Sequence, residues 1–148
     1  GQYSVVNASI SGETTSGGRT RLPALLKTHR PAIVIIELGA NDGLRGLSLQ
    51  SMRANLRAMI VASQQAGARV LLVGMRIPPN YGRDYAERFF ASFAELSREL
   101  KTALAPFLLD GIAEDLSMFQ PDRIHPNEKA QQRLLDNVWP HLLPLLRR

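Results

Sequence analysis

The stretch Asp122-Arg123-Ile124-His125 sets an acid three positions before an imidazole, and Pro126 closes the turn. A carboxylate that holds one ring nitrogen of a histidine leaves the other free to take a proton from a hydroxyl, a thiol or water. Asn41, in Asn41-Asp42-Gly43, brings a side-chain amide, and Gly12 brings a backbone N–H with no side chain beside it. Two such donors can hold the oxyanion of acyl transfer; one is typically worth ~3 kcal/mol, because it meets charge that develops only in the transition state. Each piece also has a plainer reading. Asp122 and His125 alone suit a helix cap and a surface imidazole, Asn41 to Gly43 a turn that needs positive φ, and Gly12 an ordinary turn glycine. Taken together they are the parts of acyl-transfer chemistry without its nucleophile.

No residue fills that gap on its own merits. Ser9 and Ser11 flank Ile10 but do not form a G-x-S-x-G elbow, and they read as hydrogen-bonding residues at a strand end. The chain has no cysteine, which removes thiolate chemistry and disulfides and leaves the compartment unread. The run GETTSGGRT from Gly12 nearly repeats a phosphate-binding loop. Gly18 stands where the lysine belongs, so the charge that would meet a phosphate is missing.

The candidates lie in loops, so the elements between them must do the positioning. YSVVNAS (3–9) is β-branched and reads as a first strand. GRTRLPALLKTH (18–29) reads as a helix with Leu22, Leu25 and Leu26 on one side and Pro23 near its first turn. AIVIIELG (32–39) is apolar on both faces, as in a strand covered on each side. Ser48 caps a helix whose stripe runs Leu49, Met52, Leu56, Met59 and Ile60 and stops at Gly67. A buried strand follows at 68–75, then a helix through Tyr85, Phe89, Phe93, Leu96 and Leu100, and a strand near 104–109. After the loop with Asp122 and His125, a last helix starts at Asn127 and runs through Leu134, Val138 and Leu142.

This alternation predicts an α/β fold, a mostly parallel sheet of about four strands with helices on both faces. In such sheets ligands sit beyond the carboxyl ends of the strands, where the four conspicuous loops (9–14, 39–46, 76–85 and 121–127) would gather. A length of 148 residues, 45% hydrophobic and 21% charged, fits one globular domain, and no apolar run reaches transmembrane length. The net charge of +5 is scattered, and no nucleic-acid-binding motif accompanies it, so no nucleic-acid partner is expected.

With these loops in view, the chain resembles the SGNH (GDSL) hydrolase superfamily, and within it the bacterial thioesterase I, lysophospholipase and arylesterase branch. The likeness runs over essentially all 148 residues, through VVNASISGETTSGG, RLPALL, VIIELGANDGLRG, RIPPNYG and DRIHPN. It implies a three-layer, flavodoxin-like hydrolase domain, without cofactor or metal, that cleaves acyl thioesters, aryl esters or lysophospholipids. It places the acid and base on Asp122 and His125 and the oxyanion donors on Gly12 and Asn41. Asp42, Gly43 and Leu44 resemble part of a loop that closes over acyl chains, and Pro79, Asn80 and Tyr81 a second rim of the groove. A periplasmic or secreted location is implied by the resemblance alone.

Two departures stand out. Arg123 occupies a position usually held by glycine, and is expected to face outward with little effect. The family's first strand, ending in Gly-Asp-Ser, and the helix after it have no counterpart in residues 1–148, so no nucleophile is assigned among them. The chain is therefore expected to be an N-terminally truncated single domain, poorly stable, prone to self-association and inactive by itself. The competing expectation is a non-catalytic acyl or lipid binder that lacks the serine.

Overall fold

A computed structural model describes residues 2–147. Among the described residues, eight α-helices and β-strands follow in order: α1 (Thr15–His29), β1 (Ile33–Ile36), α2 (Ala40–Leu44), α3 (Leu49–Gln65), β2 (Arg69–Val73), α4 (Arg83–Leu100), β3 (Ala103–Ala105) and α5 (Gln131–Leu146). The strands form one parallel sheet in the order β1-β2-β3, with Ile35 opposite Leu71 and Leu72 opposite Leu104. α3 connects the first pair and α4 the second.

The apolar stripes decide the layers. Ile36, Val70 and Leu72 face a core built with Leu22 and Leu26 of α1, Met52, Leu56, Met59 and Ile60 of α3, and Phe89, Phe93 and Leu96 of α4. Alternate residues turn the other way, because successive strand side chains point to opposite faces. Leu71, Val73 and Ala105 meet Leu145 of α5, with Leu134, Val138 and Leu142 packed alongside. The sheet therefore has helices on both faces, as the continuous apolar runs of its strands imply.

Three expectations need correction. Residues 3–9 form no strand, and the sheet has three strands where about four were expected. Val5 is 91% exposed and Val6 55%, and no backbone ladder reaches this segment. β-branched residues favour a strand only where a neighbouring strand supplies hydrogen bonds and a face to pack on. Second, α1 begins at Thr15, which puts Pro23 in its interior. The missing hydrogen bond is tolerated because the flanking Leu22 and Leu26 are buried against α3. Third, β3 ends at Ala105, where Pro106 has no N–H to continue the ladder, and Leu108 packs on α5 from a loop.

Candidate active site

In a parallel sheet the segments that follow the strands emerge at one edge. Asn41 follows β1, the turn Pro79–Tyr81 follows β2, and Asp122 and His125 follow β3. Gly12 comes to the same edge by side-chain ties, since its segment precedes a helix.

Those ties begin at α2. Gly39 caps it with φ 120°, a conformation costly for any other residue, and a Cβ there would meet Phe93 at 3.1 Å. The chain then turns sharply, and Asn41 Nδ2 donates to the carbonyl of Glu13 at 3.0 Å, one residue beyond Gly12. A primary amide has two N–H groups, so this bond leaves the second available. Asp42 is buried, and its two oxygens accept from Thr15, Oδ1 from the backbone N–H at 2.8 Å and Oδ2 from the hydroxyl at 2.7 Å. The first N–H groups of a helix have no partner within it, and a carboxylate there also suits the helix dipole. Asn55 Nδ2 of α3 donates to the same hydroxyl at 3.2 Å.

Arg21 fastens the other side of the loop. Its Nε meets Glu13 Oε2 at 2.9 Å and its Nη1 donates to the carbonyl of Ala8 at 2.9 Å. Gly12 lies between these two attachments with φ 77°, and nothing stands within 4 Å of where a Cβ would be. The residue is exposed, and its backbone N–H donates to no protein atom among the described residues, on a loop tied at both ends.

The acid and base form a separate unit. Asp122 Oδ2 lies 2.6 Å from His125 Nδ1, while Oδ1 accepts from the backbone N–H groups of Ile124 at 2.9 Å and His125 at 3.0 Å. The imidazole contact foremost, and then these two N–H groups, hold the Asp122 carboxyl down at about 2. With Nδ1 engaged, Nε2 is the free nitrogen. Asn127 props the turn, donating through Nδ2 to the carbonyls of Ser117 and Phe119 at 2.8 and 3.1 Å. The backbone of Gln120 donates to the His125 carbonyl at 2.8 Å. Arg123 is exposed, and its φ of 60° is the left-handed conformation that glycine enters freely.

The structure thus joins Gly12 to Asn41 through Glu13, and Asp122 to His125. No hydrogen bond among the described residues connects the two pairs, and no serine hydroxyl is bonded to His125. Among the expected groove residues, Pro79, Asn80 and Tyr81 are exposed and Leu44 is half-buried. Asp42 and Gly43 are buried, and a Cβ on Gly43 would collide with Phe89 at 2.7 Å, so both support the rim from beneath. Sequence reasoning missed Thr15, Arg21 and Asn55, whose partners lie 8 to 40 residues away with no spacing to betray them. Asn127 was expected to start the last helix; it instead caps the turn Glu128–Ala130, and α5 begins at Gln131. Among the described residues, no cluster of three or more His, Asp or Glu side chains could hold a metal ion.

Comparison with known proteins gives the family. Residues 1–133 match the model of the GDSL-like Lipase/Acylhydrolase family. The chain is 52% identical over 144 residues to Esterase TesA of Pseudomonas aeruginosa, covering 97% of this chain and 72% of that protein. It is 45% identical over 143 residues to Thioesterase 1/protease 1/lysophospholipase L1 of Escherichia coli, covering 97% and 69%. The crystal structure of the psychrotrophic esterase EstA from Pseudoalteromonas, inhibited by monoethylphosphonate, superposes with a TM-score of 0.90 at 43% identity, covering 97% of this chain and 78% of that one. A family-model match over most of the chain, with relatives this similar, leaves one assignment: the chain belongs to the GDSL-like lipase/acylhydrolase family.

Proposed function

We propose that the protein hydrolyses acyl esters and thioesters through an acyl-enzyme, using a serine that residues 1–148 do not supply. The observation that carries this reading is the Asp122–His125 pair, with Nδ1 bound and Nε2 unengaged. The serine oxygen attacks the acyl carbonyl carbon, and its proton passes to Nε2. The negative oxygen that results is held by the Gly12 N–H and the Asn41 amide. Collapse breaks the bond to the alcohol or thiol, which takes the proton from His125. Water then gives its proton to the same nitrogen and attacks the acyl-serine carbonyl; the serine–acyl bond breaks, the serine oxygen takes the proton back from His125, and the carboxylic acid leaves.

The names of the relatives, with an arylesterase of Vibrio mimicus 40% identical over 139 residues among them, support aryl esters, acyl thioesters and lysophospholipids as the substrate range. The family resemblance supports a periplasmic or secreted location, which cell fractionation tests. No helix among the described residues is long and apolar enough to cross a membrane.

The decisive experiment labels the full-length protein with a fluorophosphonate probe and maps the modified peptide, alongside hydrolysis of p-nitrophenyl butyrate. The expected result is one labelled serine outside residues 1–148 and activity abolished by His125→Ala. Labelling of Ser9 or Ser11 would overturn the assignment of the nucleophile. Tight laurate binding with neither labelling nor turnover would replace it with an acyl-binding protein.

A further inference from the structure

We infer that Tyr85 is a positioning residue that holds Asn41 in place by bracing the far end of its helix. This rests on the proposed hydrolase reading, because it concerns the donor assigned to the oxyanion.

α2 has five residues, too few to be stable alone, since a helix must offset a costly nucleus with many further hydrogen bonds. Its start is held by Asp42 on Thr15. At its end the chain folds back, with the Leu47 N–H donating to the Asp42 carbonyl at 2.9 Å. The Leu47 carbonyl in turn accepts from Tyr85 Oη at 2.6 Å, the only side chain among the described residues that hydrogen-bonds the 43–47 return. Tyr85 is suited to that task. Its ring is half-buried against the main core, so the hydroxyl projects from a fixed base. Burial, and then the Asp42 charge, push the phenol above its ordinary value, so it remains a donor through neutral and mildly alkaline pH.

Its place in the chain adds a second constraint. Tyr85 lies in the first turn of α4, three residues after Gly82, which closes the Pro79–Tyr81 turn and whose carbonyl accepts from Ala86 at 2.9 Å. One side chain thereby fixes the spacing between the segment that carries Asn41 and the opposite rim. Loss of the hydroxyl frees the 43–47 return while the core keeps its ring, and Asn41 then samples orientations that miss the oxyanion.

The test compares full-length protein with its Tyr85→Phe variant, with rates expressed per fluorophosphonate-titrated site. Losing one hydrogen bond of ordinary strength should lower kcat about fivefold for p-nitrophenyl butyrate with KM unchanged. Amide exchange measured by mass spectrometry should quicken in residues 41–47 and stay as it was in α3. Unchanged kcat, or unchanged exchange in 41–47, overturns the positioning role while leaving the hydrolase reading intact. A parent protein that hydrolyses no ester overturns both, and is recognised before the variant is made.

Discussion

Thr15 and Asp42, separated by twenty-seven residues, share two hydrogen bonds in the interior, 2.8 Å from the backbone N–H and 2.7 Å from the hydroxyl. The first closes the start of α1 and the second fixes α2, so one carboxylate joins the loop of Gly12 to the turn of Asn41. Thr15 is fully buried and Asp42 only 3% exposed, so neither partner has water to fall back on. Asp42→Ala should therefore destabilise the fold by roughly 2–4 kcal/mol, since the Thr15 N–H and O–H both lose their acceptor, although the hydroxyl oxygen still accepts from Asn55. Urea denaturation checks this, as a lower midpoint with an unchanged slope.

Asp122 gives a pH dependence with a definite sign. Its carboxyl is held down to about 2, against an unfolded value near 3.9, so folding favours the ionised form. The stabilisation is present above about pH 4 and is lost as pH falls through 2. A carboxyl-detected NMR titration should place the Asp122 transition near 2; a transition at the ordinary carboxylate value would contradict the contact with His125. Asp122→Asn should keep the turn, because Oδ1 can still accept from Ile124 and His125, yet lower kcat on the order of 10³-fold or more by misaligning the imidazole.

Asn41 has two tasks, which two substitutions separate. Asn41→Ala should lower kcat by about 10²-fold with little change in KM, as expected for a donor that acts on the transition state. Part of that loss is the released Glu13 carbonyl, now free to carry the Gly12 loop away. Glu13→Gln alters the Arg21 contact and leaves its own backbone carbonyl on Asn41, so kcat should fall much less. Equal losses would place the whole effect in the loop.

The contrast between what the sequence predicts and what the structure contains follows from the range of each interaction. α3 was legible from Ser48 to Gly67 because its cap and its stripe lie within one segment; Ser48 indeed accepts from the Ser51 N–H. The acid–base turn was legible for the same reason, its members standing three residues apart. Residues 3–9 misled because strand propensity is a property of the segment, whereas a strand is a property of two. Pro23 misled in the opposite sense: local preference places it at a helix start, but burial of its neighbours on α3 carries the helix through it. The supports of Asn41 and Gly12 depend on side chains that meet only after the sheet has formed, and no local pattern records them.

Arg21 provides a direct test of one such support. Its Nε and Nη1 reach Glu13 and the Ala8 carbonyl in different directions, a fork that lysine cannot reproduce. Arg21→Lys should leave the unfolding midpoint nearly unchanged, because the pair is partly solvated and such pairs contribute about 1 kcal/mol or less. The Gly12 loop would lose its tie at Ala8, and kcat should fall several-fold. A large drop in stability with unchanged kcat per titrated site would show that Arg21 serves the fold and not the loop.

The outer edge of the sheet leads to the last prediction. Among the described residues β1 is hydrogen-bonded to β2 on one side only, and Ile35, on the face that α5 covers elsewhere, is 49% exposed. Val5, Val6 and Ile10 are exposed as well. An unpaired strand edge flanked by apolar side chains is a template for another chain, and a lysine on such an edge opposes pairing by placing charge where a second strand must dock. The 148-residue polypeptide should therefore sediment as a dimer or larger at micromolar concentration, and Ile35→Lys should shift it toward monomer. Leu116 is 59% exposed in the turn that follows β3, the strand at the other end of the sheet order, so Leu116→Lys serves as the control. If both substitutions dissolve the assembly equally, general apolar exposure drives association; if only Ile35→Lys does so, the contact is made along β1.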